Sequence, residues 1–244
     1  MKENKIWNDY LPEDMQEHWT VYECLKESED SSTFLVKETA TGILCVLKWG
    51  RNRQAEFLRN EMEIMEKMAD RKLSGIPKAY RIFEENGEVY LVREYIEGMS
   101  LAQMVLQKGG ISEAEICRIS RKICQTAEQF QNPDEPMIHR DIKPENIVVT
   151  PGGEVVFIDF GTMRSYKKDG SRDTFVVGTR GTAAPEQYGY TQTDQRTDVY
   201  AIGQTMLYMV SESYEMNQLS ECAVSRRMKK IIEKACSFEP DKRY

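Results

Sequence analysis

The chain lacks any unbroken run of about 18 apolar residues, and no basic stretch followed by an apolar one opens its N-terminus. We therefore expect neither a membrane-spanning helix nor a signal peptide. Positive charge is also in short supply, because 33 lysines and arginines stand against 40 aspartates and glutamates. The resulting net charge of −7 gives the chain no electrostatic reason to bind nucleic acid or an anionic membrane.

Cysteine pairs of the C-x-x-C type are absent as well, although the chain has six cysteines, at positions 24, 45, 117, 124, 222 and 236. That absence disfavours a zinc site or a redox motif. Most of the cysteines have apolar neighbours, so we predict reduced thiols in the core of a cytoplasmic protein. With 244 residues, of which 40% are hydrophobic, the chain is long enough for one large domain or for two small ones that share a cleft.

The stretch Met137–Phe160 is unusually rich in chemically capable side chains. Two apolar runs, Ile147–Val149 and Val155–Ile158, are separated by the turn residues Pro151–Gly153. This pattern predicts a β-hairpin. The polar residues of the loops before and after it are His139, Arg140, Asp141, Lys143, Asn146 and Asp159. We therefore expect several oxygen-bearing side chains to gather at one end of a rigid ribbon.

The motif H-R-D-I-K-P-E-N at 139–146, followed by D-F-G at 159–161, resembles the catalytic loop and the magnesium loop of the protein kinases. The spacings fit the resemblance, since Asn146 follows Asp141 by 5 residues and Asp159 follows it by 18. The A-P-E-Q sequence at 184–187 and the compact lobes without insertions resemble bacterial serine/threonine protein kinases more than animal ones. The resemblance extends over roughly residues 20–244.

This resemblance implies an α+β, two-lobed protein-kinase-like fold. The smaller lobe is expected over residues 1–96, as an antiparallel sheet with one helix and an N-terminal strap at 1–19. The larger, mainly helical lobe is expected over 97–244 and would be truncated before the last helix of the family. The residue pattern itself predicts strands at Thr20–Leu25, Thr33–Lys37, Ile43–Trp49, Ala79–Phe83 and Glu88–Glu94.

Catalytic and metal-binding roles follow from chemistry and the resemblance together. Asp141 would accept or orient the proton of a substrate hydroxyl, and Lys143 would neutralise the transferred γ-phosphoryl group. Thr179 would hydrogen-bond both of these residues. Asn146 and Asp159 are hard oxygen ligands suited to Mg²⁺, which takes few protein ligands.

Lys48 ends a strand, Ile43–Trp49, whose composition predicts burial on both faces. A buried ammonium is costly unless it meets an anion, and the resemblance implies that Lys48 holds the α- and β-phosphates of ATP. A helix is predicted at Gln54–Ala69, with Leu58, Met62, Met65 and Ala69 on one apolar stripe. Glu61 lies at the edge of that stripe, so we expect its carboxylate to pair with Lys48.

The resemblance implies further contacts with the nucleotide. Glu94 and Ile96 fall in the segment that would hydrogen-bond adenine through backbone groups. Ser28, Val46 and Val148 complete the expected nucleotide-binding set. Arg93 falls where the family usually has an apolar residue, and it would either turn toward Glu61 or Asp159 or narrow the pocket.

The largest departure from the family is the stretch Lys26–Thr33, which has no glycine where kinases have a glycine-rich phosphate loop. It carries three acids instead, Glu27, Glu29 and Asp30. Each would repel a triphosphate by on the order of 1 kcal/mol at a surface-like dielectric. We therefore expect weak nucleotide affinity, or a loop that splays away from the phosphates.

Helices in the second half are predicted at Ser100–Gln107, from a capping box of Ser112 and Glu115 to about Gln131, at Thr197–Ser211 and at Arg226–Cys236. The second of these should bury Ile116, Ile119, Ile123, Ala127 and Phe130, with Cys117 and Cys124 beside them. His139 and Phe160 are expected to be packing residues.

The polar segment between Gly161 and Pro185 resembles an activation segment. Its candidate phosphate acceptors are Thr174, Ser171 and Thr179, and Arg140 is the cation that would bind the phosphate. The resemblance also implies that Arg243 pairs with Glu186 and that Asp198 bonds the catalytic-loop backbone.

Three interpretations remain open at this point. The first is a cytoplasmic protein serine/threonine kinase that uses ATP and Mg²⁺, acts on protein substrates and forms dimers for autophosphorylation. The second is a pseudokinase, which would work through protein contacts with weak or no nucleotide turnover. The third is a small-molecule kinase of similar fold, which the A-P-E segment disfavours.

Overall fold

The computed structural model describes residues 11–132, 134–166, 178–189 and 192–244. Its contacts divide the chain into two units. The first comprises Met1–Lys72 and Pro77–Ile96, and the second comprises Leu73–Ile76 and Glu97–Tyr244. The segment 73–76 therefore groups with the second unit, although the boundary expected from the sequence assigned it to the first.

The first unit is built on a five-stranded antiparallel sheet with the order β1-β2-β3-β5-β4. Its elements are α1 (Glu13–Gln16), β1 (Trp19–Glu27), β2 (Ser31–Glu38), β3 (Leu44–Gly50), α2 (Arg53–Asp70), β4 (Ala79–Glu85) and β5 (Glu88–Glu94). The central strand β3 is buried on both faces, as its composition predicts. The small antiparallel lobe with one long helix is thus confirmed.

The pairing register assigns the side chains of this sheet to two faces. Thr33 pairs with Lys48, so these two residues share one face, whereas Ser32 pairs with Trp49 on the other. On the Trp49 face, Leu11 and Met15 of the N-terminal segment pack in one core cluster with strand residues. This part of the expected strap is therefore buried against the sheet.

The apolar stripe of α2 differs from the expected one at its end. Ala69 is exposed, whereas Ile64 and Met68 are buried. The buried positions repeat at 58, 61, 65 and 68, so residue 69 lies about 100° further around the helix, toward solvent. Glu61 consequently lies within the buried stripe rather than at its edge.

The second unit is mainly helical. Its helices are α3 (Leu101–Lys108), α4 (Glu113–Glu128), α5 (Gln195–Ser211) and α6 (Arg226–Ala235). Its short strands are β6 (Met99–Ser100), β7 (Met137–Ile138), β8 (Ile147–Val149), β9 (Val155–Phe157) and β10 (Arg164–Ser165). Helix α5 is buried on nearly all sides, which fits its almost continuous apolar composition.

Most of the features predicted for helix α4 are present, but two of the predictions are wrong. Ser112 Oγ accepts from the Glu115 backbone N–H at 3.3 Å, but the Glu115 carboxylate binds Lys108 Nζ at 2.8 Å and does not complete the expected capping box. Cys117 and Cys124 are exposed rather than packed in the core. Each follows a buried isoleucine by one residue, which rotates it about 100° away from the apolar face.

All six cysteines lie in the described part of the chain and are free thiols. Cys45 is buried, but Cys24, Cys222 and Cys236 are only partly so. The prediction that most cysteines are core residues is therefore wrong. No helix in the described ranges is long and apolar enough to span a bilayer.

Candidate active site

The segment between β7 and β8 is held in place by a buried carboxylate of α5. Asp198 accepts hydrogen bonds from the backbone N–H groups of His139 and Arg140, both at 2.9 Å. Arg140 has a φ of 68°, an uncommon left-handed conformation for a side chain of this size. Burial raises the pKa of Asp198 to about 6, against the lowering effect of these two N–H donors. The loop that follows is therefore fixed by packing and by α5.

Asp141 lies at the centre of a compact polar network. Lys143 Nζ contacts Asp141 Oδ2 at 2.7 Å and donates to Thr179 Oγ1 at 2.6 Å. Thr179 Oγ1 in turn donates to Asp141 Oδ1 at 2.8 Å, and Asn146 Nδ2 donates to Asp141 Oδ2 at 2.9 Å. The three expected catalytic residues are thus in mutual contact. A carboxylate oxygen accepts two or more hydrogen bonds, so Asp141 Oδ1 retains capacity for an incoming hydroxyl.

The two expected magnesium ligands lie at the same end of the β8–β9 ribbon. Ile147 pairs with Phe157, and the Ile158 N–H donates to the Asn146 carbonyl at 3.0 Å. Because the Asn146 amide nitrogen is directed at Asp141, its amide oxygen is left to coordinate a cation. Asp159 supplies a carboxylate one residue past Ile158. This hard-oxygen set fits Mg²⁺, which completes its shell with phosphate oxygens and water.

His139 is fully buried within an aromatic cluster. Its ring centroid lies 5.3 Å from that of Phe157 and 5.4 Å from that of Phe160. Burial lowers the pKa of His139 to about 4, so the imidazole is neutral at physiological pH. These contacts give His139 the packing environment expected of it, with no solvent access for proton transfer.

The ion pair of Glu186 with Arg243 ties the end of the chain to the A-P-E segment. The two carboxylate oxygens meet the guanidinium at 2.7 and 2.9 Å, and both side chains are almost completely buried. Gln187 Nε2 donates to the Arg140 carbonyl at 2.7 Å. Sequence reasoning missed this role of Gln187, although its place directly after the A-P-E motif was a signal. Thr174, Ser171 and Phe175 lie outside the described residues.

In the first unit, Lys48 and Glu61 form the expected ion pair. Lys48 Nζ contacts both carboxylate oxygens, at 2.8 and 2.7 Å. The side chain of Glu61 is 1% exposed and that of Lys48 is 11% exposed. The pair therefore joins β3 to α2 in a desolvated environment.

The stretch without glycine forms a tight turn between β1 and β2. The Ser28 N–H donates to the Ser31 carbonyl at 2.8 Å, and the two hydroxyl oxygens lie 2.8 Å apart. Asp30 Oδ1 accepts from Arg51 Nε at 2.8 Å and from Asn52 Nδ2 at 3.1 Å. The expectation of three unscreened acids is thus wrong for Asp30, because Arg51 neutralises its charge. Sequence reasoning missed this contact, since 21 residues separate its partners.

The remaining expected nucleotide contacts of the first unit lie near the boundary or within the sheet. Val46 is buried, Ser28 is exposed and Ile96 is partly buried. Arg93 is 3% exposed, and its Nη1 donates to the Glu94 carbonyl at 2.9 Å. That carbonyl is the one the resemblance assigns to adenine, so Arg93 already occupies one of its lone pairs. Val148 belongs to the second unit and is buried there.

The two-lobed architecture and the network around Asp141 are the features expected of the protein kinase class. The family model described as the protein kinase domain matches residues 20–244. The chain therefore belongs to the protein kinase family.

Curated relatives point to the serine/threonine branch of this family. The chain is 30% identical to serine/threonine-protein kinase D of Synechocystis sp. over 208 residues, covering 78% of this chain and 40% of that protein. It is 35% identical to a probable serine/threonine-protein kinase of Clostridium perfringens over 147 residues, covering 60% of this chain and 21% of that protein. Serine/threonine-protein kinase PknA of Nostoc sp. is 27% identical, over 78% of this chain and 36% of that protein. The chain thus spans less than half the length of these relatives.

Proposed function

We propose that the chain is an active protein serine/threonine kinase, which transfers the γ-phosphoryl group of ATP to a serine or threonine hydroxyl. The observation that carries the proposal is the contact network of Asp141, Lys143 and Thr179. In that network, a carboxylate with spare acceptor capacity lies next to an ammonium group, and a hydroxyl holds both in register. This is the arrangement needed to orient a hydroxyl nucleophile next to developing negative charge.

Each residue of the network would have a distinct task. Asp141 Oδ1 would accept the hydrogen bond of the substrate hydroxyl and direct its lone pair toward the reacting phosphorus. Lys143 Nζ would stabilise the charge on the transferred group. Thr179 would fix the distance between these two residues. Mg²⁺, when bound, would neutralise phosphate charge, and Asn146 with Asp159 are the residues that would hold it.

In the first unit, Lys48 would bind the phosphates of ATP while Glu61 holds its ammonium in place. The lysine of the D-I-K-P-E-N motif resembles the serine/threonine class, and the relatives are serine/threonine kinases by name. We further expect a cytoplasmic protein that acts on protein substrates and dimerises for autophosphorylation.

A pseudokinase is the second candidate, and the turn at Ser28 favours it. In a glycine-rich loop, the backbone N–H groups are open to phosphate oxygens. Here the N–H of Ser28 is engaged by the Ser31 carbonyl. A loop closed in this way offers fewer donors, so nucleotide affinity would depend more heavily on Lys48 and the metal.

Two measurements separate these candidates. The first is transfer of ³²P from labelled ATP, in the presence of Mg²⁺, to the chain itself and to casein. We expect label with the wild type and a loss of about a hundredfold or more in Asp141→Asn, the range that a positioned general base supplies. Asp134→Asn is the matched control, because this exposed aspartate of the same unit lies outside the network.

The second measurement is the melting temperature with and without ATP and Mg²⁺. A ligand at a hundred times its Kd stabilises the native state by about 2.7 kcal/mol, so binding should raise the melting temperature clearly. Equal label in wild type and Asp141→Asn, or label in neither, would overturn the kinase proposal. A thermal shift without any transfer would favour the pseudokinase.

A further inference from the structure

A cavity of about 330 Å³ lies on the face of the first unit's sheet opposite Lys48. The residues that line it include Glu27, Glu29, Ser32, Phe34, Trp49 and Glu88. Ser32 pairs with both Glu27 and Trp49 across the strands, so these three side chains share one face. Thr33 and Lys48 point to the other face. The cavity therefore lies on the face opposite Lys48, and Ser28 is the one residue of the expected nucleotide-binding set that also lines it.

The cavity is strongly acidic for its size. Three of its lining residues, Glu27, Glu29 and Glu88, are carboxylates, and among the described residues that line it there is no lysine or arginine. Arg51 is a cation near the cavity, with its guanidinium 5.9 Å from the centroid of the Trp49 ring. Its charge is already balanced by Asp30, at 2.8 Å. The residues that line the cavity therefore carry a net negative charge, which favours a cationic ligand.

Glu88 is held rigidly at the wall of the cavity. Its Oε2 accepts hydrogen bonds from Trp49 Nε1 and from the Tyr90 hydroxyl, both at 2.8 Å. Both bonds converge on one oxygen, which leaves Oε1 to accept from a ligand. Phe34 is buried and Trp49 is partly buried beside it, so an aromatic wall adjoins this carboxylate. Aromatic faces next to carboxylates attract organic cations by cation–π and ionic contacts.

Ser32 is a second and independent sign of a ligand. It is only 7% exposed and lines the cavity. Within the described part of the chain, its hydroxyl makes no hydrogen bond to another residue. Because Ser32 lines the cavity, its hydroxyl oxygen is placed to accept a hydrogen bond from a group inside it. An ammonium N–H is a donor that also satisfies the charge of the site.

We propose that this cavity binds a linear aliphatic polyamine. Its volume lies at the lower end of the range for small-molecule sites, about 300–1,000 Å³, which fits a chain of about ten heavy atoms. The ammonium groups would meet Glu88, Ser32 and the rim acids Glu27 and Glu29, and the methylene groups would lie against Phe34 and Trp49. The proposed site does not depend on phosphoryl transfer, because it lies on the opposite face of the sheet.

Isothermal titration of the full chain with spermidine at low ionic strength tests the proposal. Glu88→Gln keeps an acceptor for Trp49 and Tyr90 but removes the charge, and we expect it to weaken binding by about tenfold. The double variant Glu27→Gln/Glu29→Gln changes only exposed residues, so it provides a second reading that does not disturb the fold. Glu66→Gln is the matched control. It removes one charge from an exposed site on α2 of the same unit and should leave the affinity within about twofold of wild type.

Comparison with a second cation distinguishes specific binding at this site from non-specific electrostatic attraction to an acidic protein. Hexaamminecobalt(III) has the same charge as spermidine but no aliphatic chain, so we expect it to bind more weakly. Equal affinities for the two cations, equal weakening by Glu66→Gln and Glu88→Gln, or no heat of binding would each overturn the proposal. Tighter binding of trilysine than of spermidine would overturn it in favour of a basic peptide segment.

Discussion

The ion pair of Lys48 and Glu61 allows the effect of a substitution on stability to be separated from its effect on activity. The Glu61 side chain is 1% exposed and both of its carboxylate oxygens contact Lys48. Lys48→Met would remove this cation and leave the carboxylate in a desolvated site. Breaking a buried pair in this way costs about 3–5 kcal/mol, far more than the pair contributes relative to a well-packed neutral replacement. We therefore expect Lys48→Met to be markedly destabilised as well as inactive.

The companion variant is Lys48→Met/Glu61→Gln, which removes the carboxylate charge as well as the ammonium. It should recover much of the lost stability, because no ionised group is left without its partner. Phosphoryl transfer should stay absent, since the lysine is still missing. Recovery of folding without recovery of transfer would show that Lys48 acts on the nucleotide and not only on the fold.

Urea unfolding followed by tryptophan fluorescence is the appropriate assay. Trp19 and Trp49 belong to the first unit, where Trp19 is buried and Trp49 is partly buried, so their emission reports on that unit. Lys37→Met, at an exposed position of β2, is the matched control and should change the unfolding free energy by about 0.5 kcal/mol or less. The reasoning would be refuted by a loss under about 1 kcal/mol in Lys48→Met, or by a double variant no more stable than the single one.

Three further predictions concern the second unit. Arg243→Met should lower the free energy of unfolding by about 3–5 kcal/mol, because it leaves the buried Glu186 carboxylate without its guanidinium. Urea unfolding followed by far-UV circular dichroism would measure this loss. His139, with its pKa lowered to about 4, should keep a neutral imidazole in NMR titration from pH 8 down to about pH 5. Gly203→Ala should lower the free energy of unfolding by about 1–3 kcal/mol through overpacking, because the added Cβ would lie 2.7 Å from the Cβ of Ala235. Thermal or urea unfolding would measure this loss.

Each of these has a control or a contrary result. Lys242→Met, at an exposed position next to Arg243, should have little effect, and an equal loss in both variants would contradict the special role of the buried pair. A His139 signal that titrates near the usual histidine pKa of about 6.5 would mean that the ring is not buried. Wild-type stability in Gly203→Ala would mean that α5 and α6 do not approach as closely as described.

His139, in the loop between β7 and β8, and Asp198, on α5, have perturbed pKa values that act on stability in opposite directions. His139 has a lowered pKa, so the unfolded chain takes up its proton first, and its contribution falls as the pH drops from 6.5 through about 4. Asp198 has a raised pKa, so the folded chain takes up its proton first, and stability is gained as the pH falls from about 6 toward 3.8. Between these limits the two effects oppose each other, and a His139 measurement by NMR separates them.

Local patterns predicted the elements that carry the site. The β8–β9 ribbon follows from two apolar runs around a turn, and the burial of Lys48 follows from the composition of β3. The contacts of Asp141 with Lys143 and Thr179 were expected from the resemblance and are present, whereas their roles in catalysis stay predictions. Sequence spacing is informative here because the partners either lie in one short loop or belong to a recurring motif.

Other features could not be read from local patterns. Cys117 and Cys124 have apolar neighbours, but the side of α4 that faces the core is decided by tertiary packing. Likewise, Arg51 reaches Asp30 only because two strands and a turn bring distant segments together. The acidic cavity behind Trp49 also depends on strand register, which no single stretch of the chain specifies.

The link between Arg51 and Asp30 has a mechanical consequence. Arg51 lies two residues before α2, the helix that carries Glu61, and its N–H also donates to the Asp30 carbonyl at 3.0 Å. A glycine-rich loop can move independently of the helix that follows β3. Here, Asp30 at the turn is bonded to Arg51 just before that helix. A movement of α2 would therefore either move the turn with it or break the contacts between Arg51 and Asp30. The turn and the helix are thus expected to move together.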